Sequence, residues 1–248
     1  FIFGDEPLVE LVEALDRAGI TLKELNLFVE PGAYGARAWD ALAHGPFDLV
    51  TVDLGVESGA TELLRAAGRA YSNGAVLAEI EALVSRDLLP YTWWMVGLPG
   101  ETWAHLEATA QALAATMKAG AVPRWITPLI LFPGTSAFEG APKSGVTPRY
   151  AYFDDFMVFS TTPHRQDGRY PELLTHETSG LSYEGILAGT RRLKEVVLQG
   201  WDELLARHRA SPRWKARLRR LGAMLRQPED EDSKTRGDDP TFSLDTFF

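Results

Sequence analysis

Short continuous apolar runs alternate along this chain with stretches in which apolar side chains return every three or four residues. The first pattern reads as buried strand and the second as amphipathic helix. The strongest run, Tyr91-Thr92-Trp93-Trp94-Met95-Val96, predicts a strand over 91–96. It breaks into Gly97-Leu98-Pro99-Gly100, a stiff turn because proline fixes its own φ and restricts its predecessor. A helix then opens at Glu101-Thr102 and is expected over 103–119. Similar runs predict strands over 25–29, 49–54 and 125–132, and residues 1–3 are strand-like. Leu8, Leu11, Val12 and Leu15 share a helical face over 8–18, which Gly19 ends. Further helices are expected over 36–43, 61–67 and 75–85.

Strands alternating with helices predict an α/β protein with a parallel sheet, either doubly wound or a (β/α) barrel. The ends of its strands lie on one edge, where both architectures bind ligands. Polar residues far apart in sequence therefore converge there. Residues 1–140 form this unit. Residues 141–226 read as an irregular stretch followed by a helical extension, with helices over 183–198 and 201–225, the second broken near Ser211-Pro212. Residues 227–248 are acidic and polar, an expected disordered tail.

Composition narrows the function classes. The 248 residues are 45% hydrophobic and carry a net charge of -9. That charge is uneven: residues 191–226 hold 11 basic and 3 acidic side chains between two acidic regions. A solvated helix facing an acidic body explains this better than a nucleic-acid surface, so nucleic acid is not an expected partner. Cysteine is absent, which excludes disulfides and thiolate metal sites within this stretch. No apolar run spans a bilayer and no leader is evident, so a cytoplasmic protein with no membrane partner is expected. The opening Phe1-Ile2-Phe3 begins in mid-strand, and a fragment is expected. His44, His105, His164, His176 and His208 lack metal-ligand spacing, and no nucleophile elbow or phosphate loop occurs.

Four strand ends carry the candidate chemistry: Gly4-Asp5-Glu6-Pro7, Gly55-Val56-Glu57-Ser58-Gly59, Gly97-Leu98-Pro99-Gly100-Glu101-Thr102 and Pro133-Gly134-Thr135. In this order and spacing they resemble the radical S-adenosylmethionine superfamily. The branch that often carries an N-terminal cobalamin-binding domain is the most similar. The specific feature is D-L-G-V-E-S-G followed some forty residues later by G-L-P-G-E-T. The likeness covers residues 1–140 well and 141–198 more loosely, through L-T-H-E-T-S-G-L-S. It implies a partial, TIM-like (β/α)6 barrel lacking its first strand, with a mainly helical C-terminal extension. Relatives bind S-adenosylmethionine and a 4Fe-4S cluster held by a CxxxCxxC loop. Here the cluster ligands, and any cobalamin domain, would lie outside the chain.

The resemblance also implies site roles. Asp5 and Glu6 would face the methionyl ammonium, although a helix cap with a first-turn acid explains them nearly as well. Glu57 and Ser58 would meet the ribose hydroxyls or the amino group, and Arg69 the carboxylate, although a solvated helix cation explains Arg69 equally well. Gly97, Pro99 and Gly100 would pass beside the adenine, with Phe132, Pro133 and Gly134 covering its other side. Trp93 and Trp94 point to opposite sheet faces; core packing is the default for both, and one is a candidate to line a barrel interior. Tyr152, Asp154 and Asp155 are candidates for a substrate cavity.

The implied activity is reductive cleavage of S-adenosylmethionine to a 5′-deoxyadenosyl radical, or cobalamin-dependent methyl transfer. The substrate would be a small molecule or peptide, with an external electron donor, and this stretch alone is expected to be inactive. The alternative is a cluster-free S-adenosylmethionine- or nucleotide-binding module whose basic helix, residues 207–226, docks a partner or nucleic acid. An ordinary barrel hydrolase or aldolase lacks a Lys, His or metal constellation at the strand ends.

Overall fold

Four parallel strands pair in the order in which the chain makes them. The computed structural model describes residues 4–150 and 174–208, together with Trp214 and Leu218. Strands β1 (Leu25–Val29), β2 (Val50–Glu57), β3 (Leu89–Val96) and β4 (Val122–Pro128) form one sheet in the order β1-β2-β3-β4. A doubly wound sheet reverses its strand order at a switch point. No reversal occurs among the described strands.

Helix α1 (Asp5–Arg17) precedes β1, and α2 (Ala36–His44) leads into β2. Helices α3 (Thr61–Ala66) and α4 (Asn73–Val84) join β2 to β3, and α5 (Trp103–Ala119) joins β3 to β4. A short α6 (Ser136–Glu139), a 3-10 turn at Ala141–Lys143 and an antiparallel pair follow, β5 (Val146–Pro148) with β6 (His176–Thr178). The long α7 (Tyr183–Arg207) packs on α5 and β4.

The sheet has two unlike faces because β2 alternates, Val-Thr-Val-Asp-Leu-Gly-Val-Glu. Val50, Val52, Leu54 and Val56 join Trp94 and Val96 under the helices, in one core with Leu42, Ile80, Leu106 and Val197. The other face carries Asn26, Phe28, Asp53, Trp93 and Arg124, whose side chains contact one another. Trp94 is thus a core residue and Trp93 lines the polar face.

Three expectations need correction. The second strand continues past 54 to Glu57, through a register shift between Gly55 and Glu57. The fourth strand starts at Val122 and ends at Pro128, earlier than the apolar run suggested. The helix expected over 183–198 continues without a break through Gly200 to Arg207, joining the two helices expected there; of the residues beyond His208 only Trp214 and Leu218 are described, and both are helical. A Cβ at Gly200 would lie 3.0 Å from Met117 Cε, the flexible end of that side chain, and the helix runs through this glycine without stopping. Residues 1–3, the tail 227–248, Tyr152, Asp154, Asp155, His164 and most of the basic stretch lie outside the described residues. No helix of the described residues is long and apolar enough to cross a membrane.

Candidate functional site

The end of β2 is the most constrained point of the rim. Glu57 sits at φ 64, a left-handed conformation that costs a non-glycine residue about 1 kcal/mol. The strand end is held by Tyr71, whose hydroxyl donates to the carbonyls of Gly55 at 2.7 Å and Val56 at 3.3 Å. The Glu57 side chain is 12% exposed, and its Oε1 accepts from Arg69 at 3.3 Å. Arg69 also approaches Glu30, at the end of β1, to 3.7 Å. Oε2 of Glu57 is buried and has no hydrogen-bond partner among the described residues. Burial raises the Glu57 carboxyl above its ordinary value, while Arg69 pulls it down and Glu30 pushes it up.

Ser58, next in sequence, is fully buried and turned toward α5. Its hydroxyl lies 3.1 Å from Thr109 Oγ1 and accepts from the Ala60 N–H at 3.1 Å. A Cβ at Gly59 would sit 2.4 Å from the Ala108 carbonyl oxygen, so only glycine lets this turn press on α5. The Ser58 side chain therefore fixes the turn that presents Glu57.

The end of β3 is held from both sides. Gly97 and Gly100 have positive φ, 88 and 78. Glu101 is fully buried, and its Oε2 accepts the N–H groups of Gly97 and Leu98. Burial pushes its carboxyl up to about 7 against these two bonds, and Oε1 has no partner among the described residues. On the far side, His176 Nε2 lies 2.6 Å from the Gly97 carbonyl oxygen. Thr102 caps α5 in a reciprocal arrangement with His105, so helix entry and turn closure fall to adjacent residues.

The remaining ends are tied similarly. Glu79 of α4 accepts the Gly32 N–H at 2.8 Å beyond β1, and burial raises its carboxyl. Beyond β4, the Leu131 N–H donates to Thr175 Oγ1 at 2.9 Å, and the Thr135 hydroxyl to the Phe132 carbonyl at 2.7 Å. Phe132 is 47% exposed, and Gly134 takes φ 82. Pro133 links them in this turn, as Pro99 links Leu98 to Gly100.

Asp5 and Glu6 occupy the first turn of α1 and engage the start of α2. Asp5 accepts the Gly35 N–H at 2.7 Å, and Glu6 pairs with Arg37. The structure thus joins Glu57 to Arg69 and joins Asp5 and Glu6 to α2.

Sequence reasoning missed the polar cluster on the sheet face below the rim. Asp53 accepts from Arg124 at 3.0 and 3.2 Å, from Trp93 Nε1 at 2.6 Å and from Asn26. Arg124 lies 5.1 Å over the Tyr91 ring, and Trp93 stacks on Trp125 at 5.6 Å. The signal was the alternation within β2, which places Thr51, Asp53 and Glu57 on one face. No group of three or more metal-ligating side chains occurs among the described residues.

No family model matches the chain. Over 71 residues it is 35% identical to an uncharacterized protein of Methanopyrus kandleri, covering 29% of this chain and 14% of that protein. Among solved structures it resembles TsrM, a radical S-adenosylmethionine methyltransferase of Kitasatospora setae, with cobalamin and a [4Fe-4S] cluster bound. The TM-score is 0.54 at 17% identity, over 88% of this chain and 48% of that one. TsrM with tryptophan substrate and an S-adenosylmethionine analog gives 0.46 at 20% identity, over 60% and 30%. Coproporphyrinogen III oxidase of Escherichia coli, a radical S-adenosylmethionine enzyme, gives 0.40 at 17% identity, over 50% and 28%. The chain spans less than half the length of each of these proteins. Its consecutive parallel sheet and the match over 88% of its residues at a TM-score of 0.54 give the chain a fold similar to that of TsrM.

Proposed function

We propose that these residues are the S-adenosylmethionine-binding part of a radical S-adenosylmethionine enzyme, built as an arc of a (β/α) barrel. The consecutive strand order supports the barrel reading, and the face bearing Asp53, Trp93 and Arg124 is its interior. The observation that carries the functional reading is Glu57. A buried carboxylate oxygen without a partner among the described residues, on a strained residue at the strand-end rim, is a prepared acceptor for an ammonium or a ribose hydroxyl.

The residues present fit S-adenosylmethionine. Glu57 accepts from its donors, Arg69 fixes Glu57 and offers a cation to its carboxylate, and the turns at 97–100 and 129–134 flank the adenine. They do not fit an iron-sulfur cluster, because the chain has no cysteine. Any cluster takes its thiolates from outside these 248 residues, and these residues alone do not assemble one. S-adenosylmethionine would supply the radical or methyl chemistry when bound, and this chain's share would be binding, orientation and exclusion of water. The reaction class is radical modification or cobalamin-dependent methyl transfer on a small-molecule or peptide substrate, with an electron from an external donor.

Titration calorimetry of the chain with S-adenosylmethionine tests this reading. One-to-one binding that weakens about tenfold or more in Glu57→Gln is expected, since hydrogen bonds to charged groups contribute about 1.5–3 kcal/mol. Absence of binding by the unaltered chain would remove the proposal. Stoichiometric iron uptake on anaerobic reconstitution would overturn the statement that its cluster ligands lie elsewhere.

A further inference from the structure

We infer that Thr175 and His176 are positioning residues that set the gap between the β3 and β4 turns, and hence the slot for the adenine ring. The inference rests on the function proposed above. The last sheet contacts between the two strands are the pairing of Val96 with Pro128 and the bond from the Leu129 N–H to the Val96 carbonyl, 2.7 Å. Beyond that point no sheet bond joins the turns among the described residues. Leu98 and Leu129 share a small apolar cluster, and the polar connection between the turns runs through two buried side chains that precede α7, Thr175 at 3% and His176 at 1% exposure.

Elementary donor and acceptor chemistry gives this connection a direction. The Gly97 carbonyl can only accept, so His176 Nε2 carries the proton that bridges the 2.6 Å to it. Nδ1 of this neutral ring is then an acceptor, and Thr175 Oγ1, 3.0 Å away, donates to it. The Leu129 carbonyl, at 3.4 Å from the same oxygen, is the weaker alternative. The lone pairs of Oγ1 receive the Leu131 N–H at 2.9 Å. The relay therefore runs from the β4 turn through Thr175 and His176 to the β3 turn, each member donating once to the next.

Two further contacts keep the relay from slackening. Glu101 holds the Gly97 N–H from the opposite side, and the Thr178 hydroxyl donates to the Glu101 carbonyl at 3.2 Å. A Cβ at Gly97 would lie 3.1 Å from Ile186 Cδ1 and 3.4 Å from His176 Nε2, so the turn is seated directly against the extension. The slot width is therefore set by side chains that arrive long after the strands it separates.

The test compares two ligands on one set of variants by calorimetry. S-adenosylmethionine uses both the Glu57 end and the slot, whereas 5′-deoxyadenosine lacks the methionyl group and depends chiefly on the slot. Thr175→Val and His176→Ala are expected to weaken both ligands by about five- to tenfold, the order of one lost hydrogen bond. His176→Gln, which keeps an N–H donor, and Thr175→Ser, which keeps the hydroxyl, should recover most of that loss. Wild-type dissociation constants in Thr175→Val and His176→Ala would overturn the inference. The same holds if binding stoichiometry falls with the folded fraction while the constants stay fixed. If Thr175→Val does not fold, the contrast between His176→Ala and His176→Gln decides. Failure of the unaltered chain to bind either ligand would instead overturn the proposed function.

Discussion

Arg124 on β4 spans β3 to place one terminal nitrogen 3.0 and 3.2 Å from the two carboxylate oxygens of Asp53 on β2. Both residues are buried, Asp53 at 1% and Arg124 at 8% exposure. A buried pair adds little over an apolar substitute, yet breaking one half leaves a charge without its counterpart. Arg124→Ala is therefore expected to cost about 3–5 kcal/mol in urea unfolding. The double variant Arg124→Met with Asp53→Asn should be markedly more stable than Arg124→Ala. A loss below about 1 kcal/mol in Arg124→Ala would place the pair among solvated ion pairs.

Glu57 sets stability against binding. Its positive φ suits glycine, and its carboxylate is partly desolvated. Glu57→Gly relieves the backbone strain and removes the buried oxygen that has no partner among the described residues, against the loss of the Arg69 contact. The net change in unfolding free energy should lie within about 1 kcal/mol of zero. Affinity for S-adenosylmethionine should nevertheless fall about tenfold or more. Parallel losses of stability and binding would mean that Glu57 holds the fold and not the ligand.

Glu101 makes stability depend on pH. Its folded pKa lies near 7 against 4.5 for the ordinary group, so the folded state binds the proton more tightly. Its contribution therefore falls as pH rises from 4.5 toward 7 and is flat beyond. The whole effect is about 3 kcal/mol at about 1.4 kcal/mol per pKa unit. Glu57 and Glu79 act in the same direction, and the buried His176 and His208, both lowered, act in the opposite one below their ordinary value. Glu101→Gln removes one identified slope. Its stability difference from the unaltered chain should change by about 3 kcal/mol between about pH 5 and about pH 8, in favour of the variant at the higher pH. A constant difference would show that Glu101 titrates near its ordinary value.

The elements were legible because local periodicity and capping determine them. Helix α5 occupies 103–119, bounded by the Thr102 cap and by Gly120 at φ 111, and β1 occupies 25–29 as expected. Glu57 was legible as a candidate because glycines flank it, and Arg69 only through the family resemblance. The partners of Asp53 and of Gly97 were not. Arg124 is 71 residues from Asp53 and His176 is 79 residues from Gly97, and no local pattern specifies such pairs. Ser58 shows the same limit: its hydroxyl belongs to Thr109, a contact created by how closely Gly59 lets α5 approach.

Helix α7 gives the sharpest contrast between propensity and packing, since it carries glycine at 189 and 200. On propensity alone, alanine at either site should stabilise by about 1 kcal/mol. At Gly200 the added Cβ meets only the flexible end of Met117, at 3.0 and 3.4 Å. Gly200→Ala should therefore leave the urea midpoint unchanged or raise it. At Gly189 the Cβ would lie 2.6 Å from Leu106 Cδ1 and 3.2 Å from Val96 Cγ1, both in the closed core beneath β3. Overpacking there costs about 1–3 kcal/mol, so Gly189→Ala should be destabilising despite its better helix propensity. Equal gains at both positions would mean that α7 is free to lift from β3 and α5. The C-terminal extension that supplies Thr175 and His176 would then be a looser clamp than its hydrogen bonds describe.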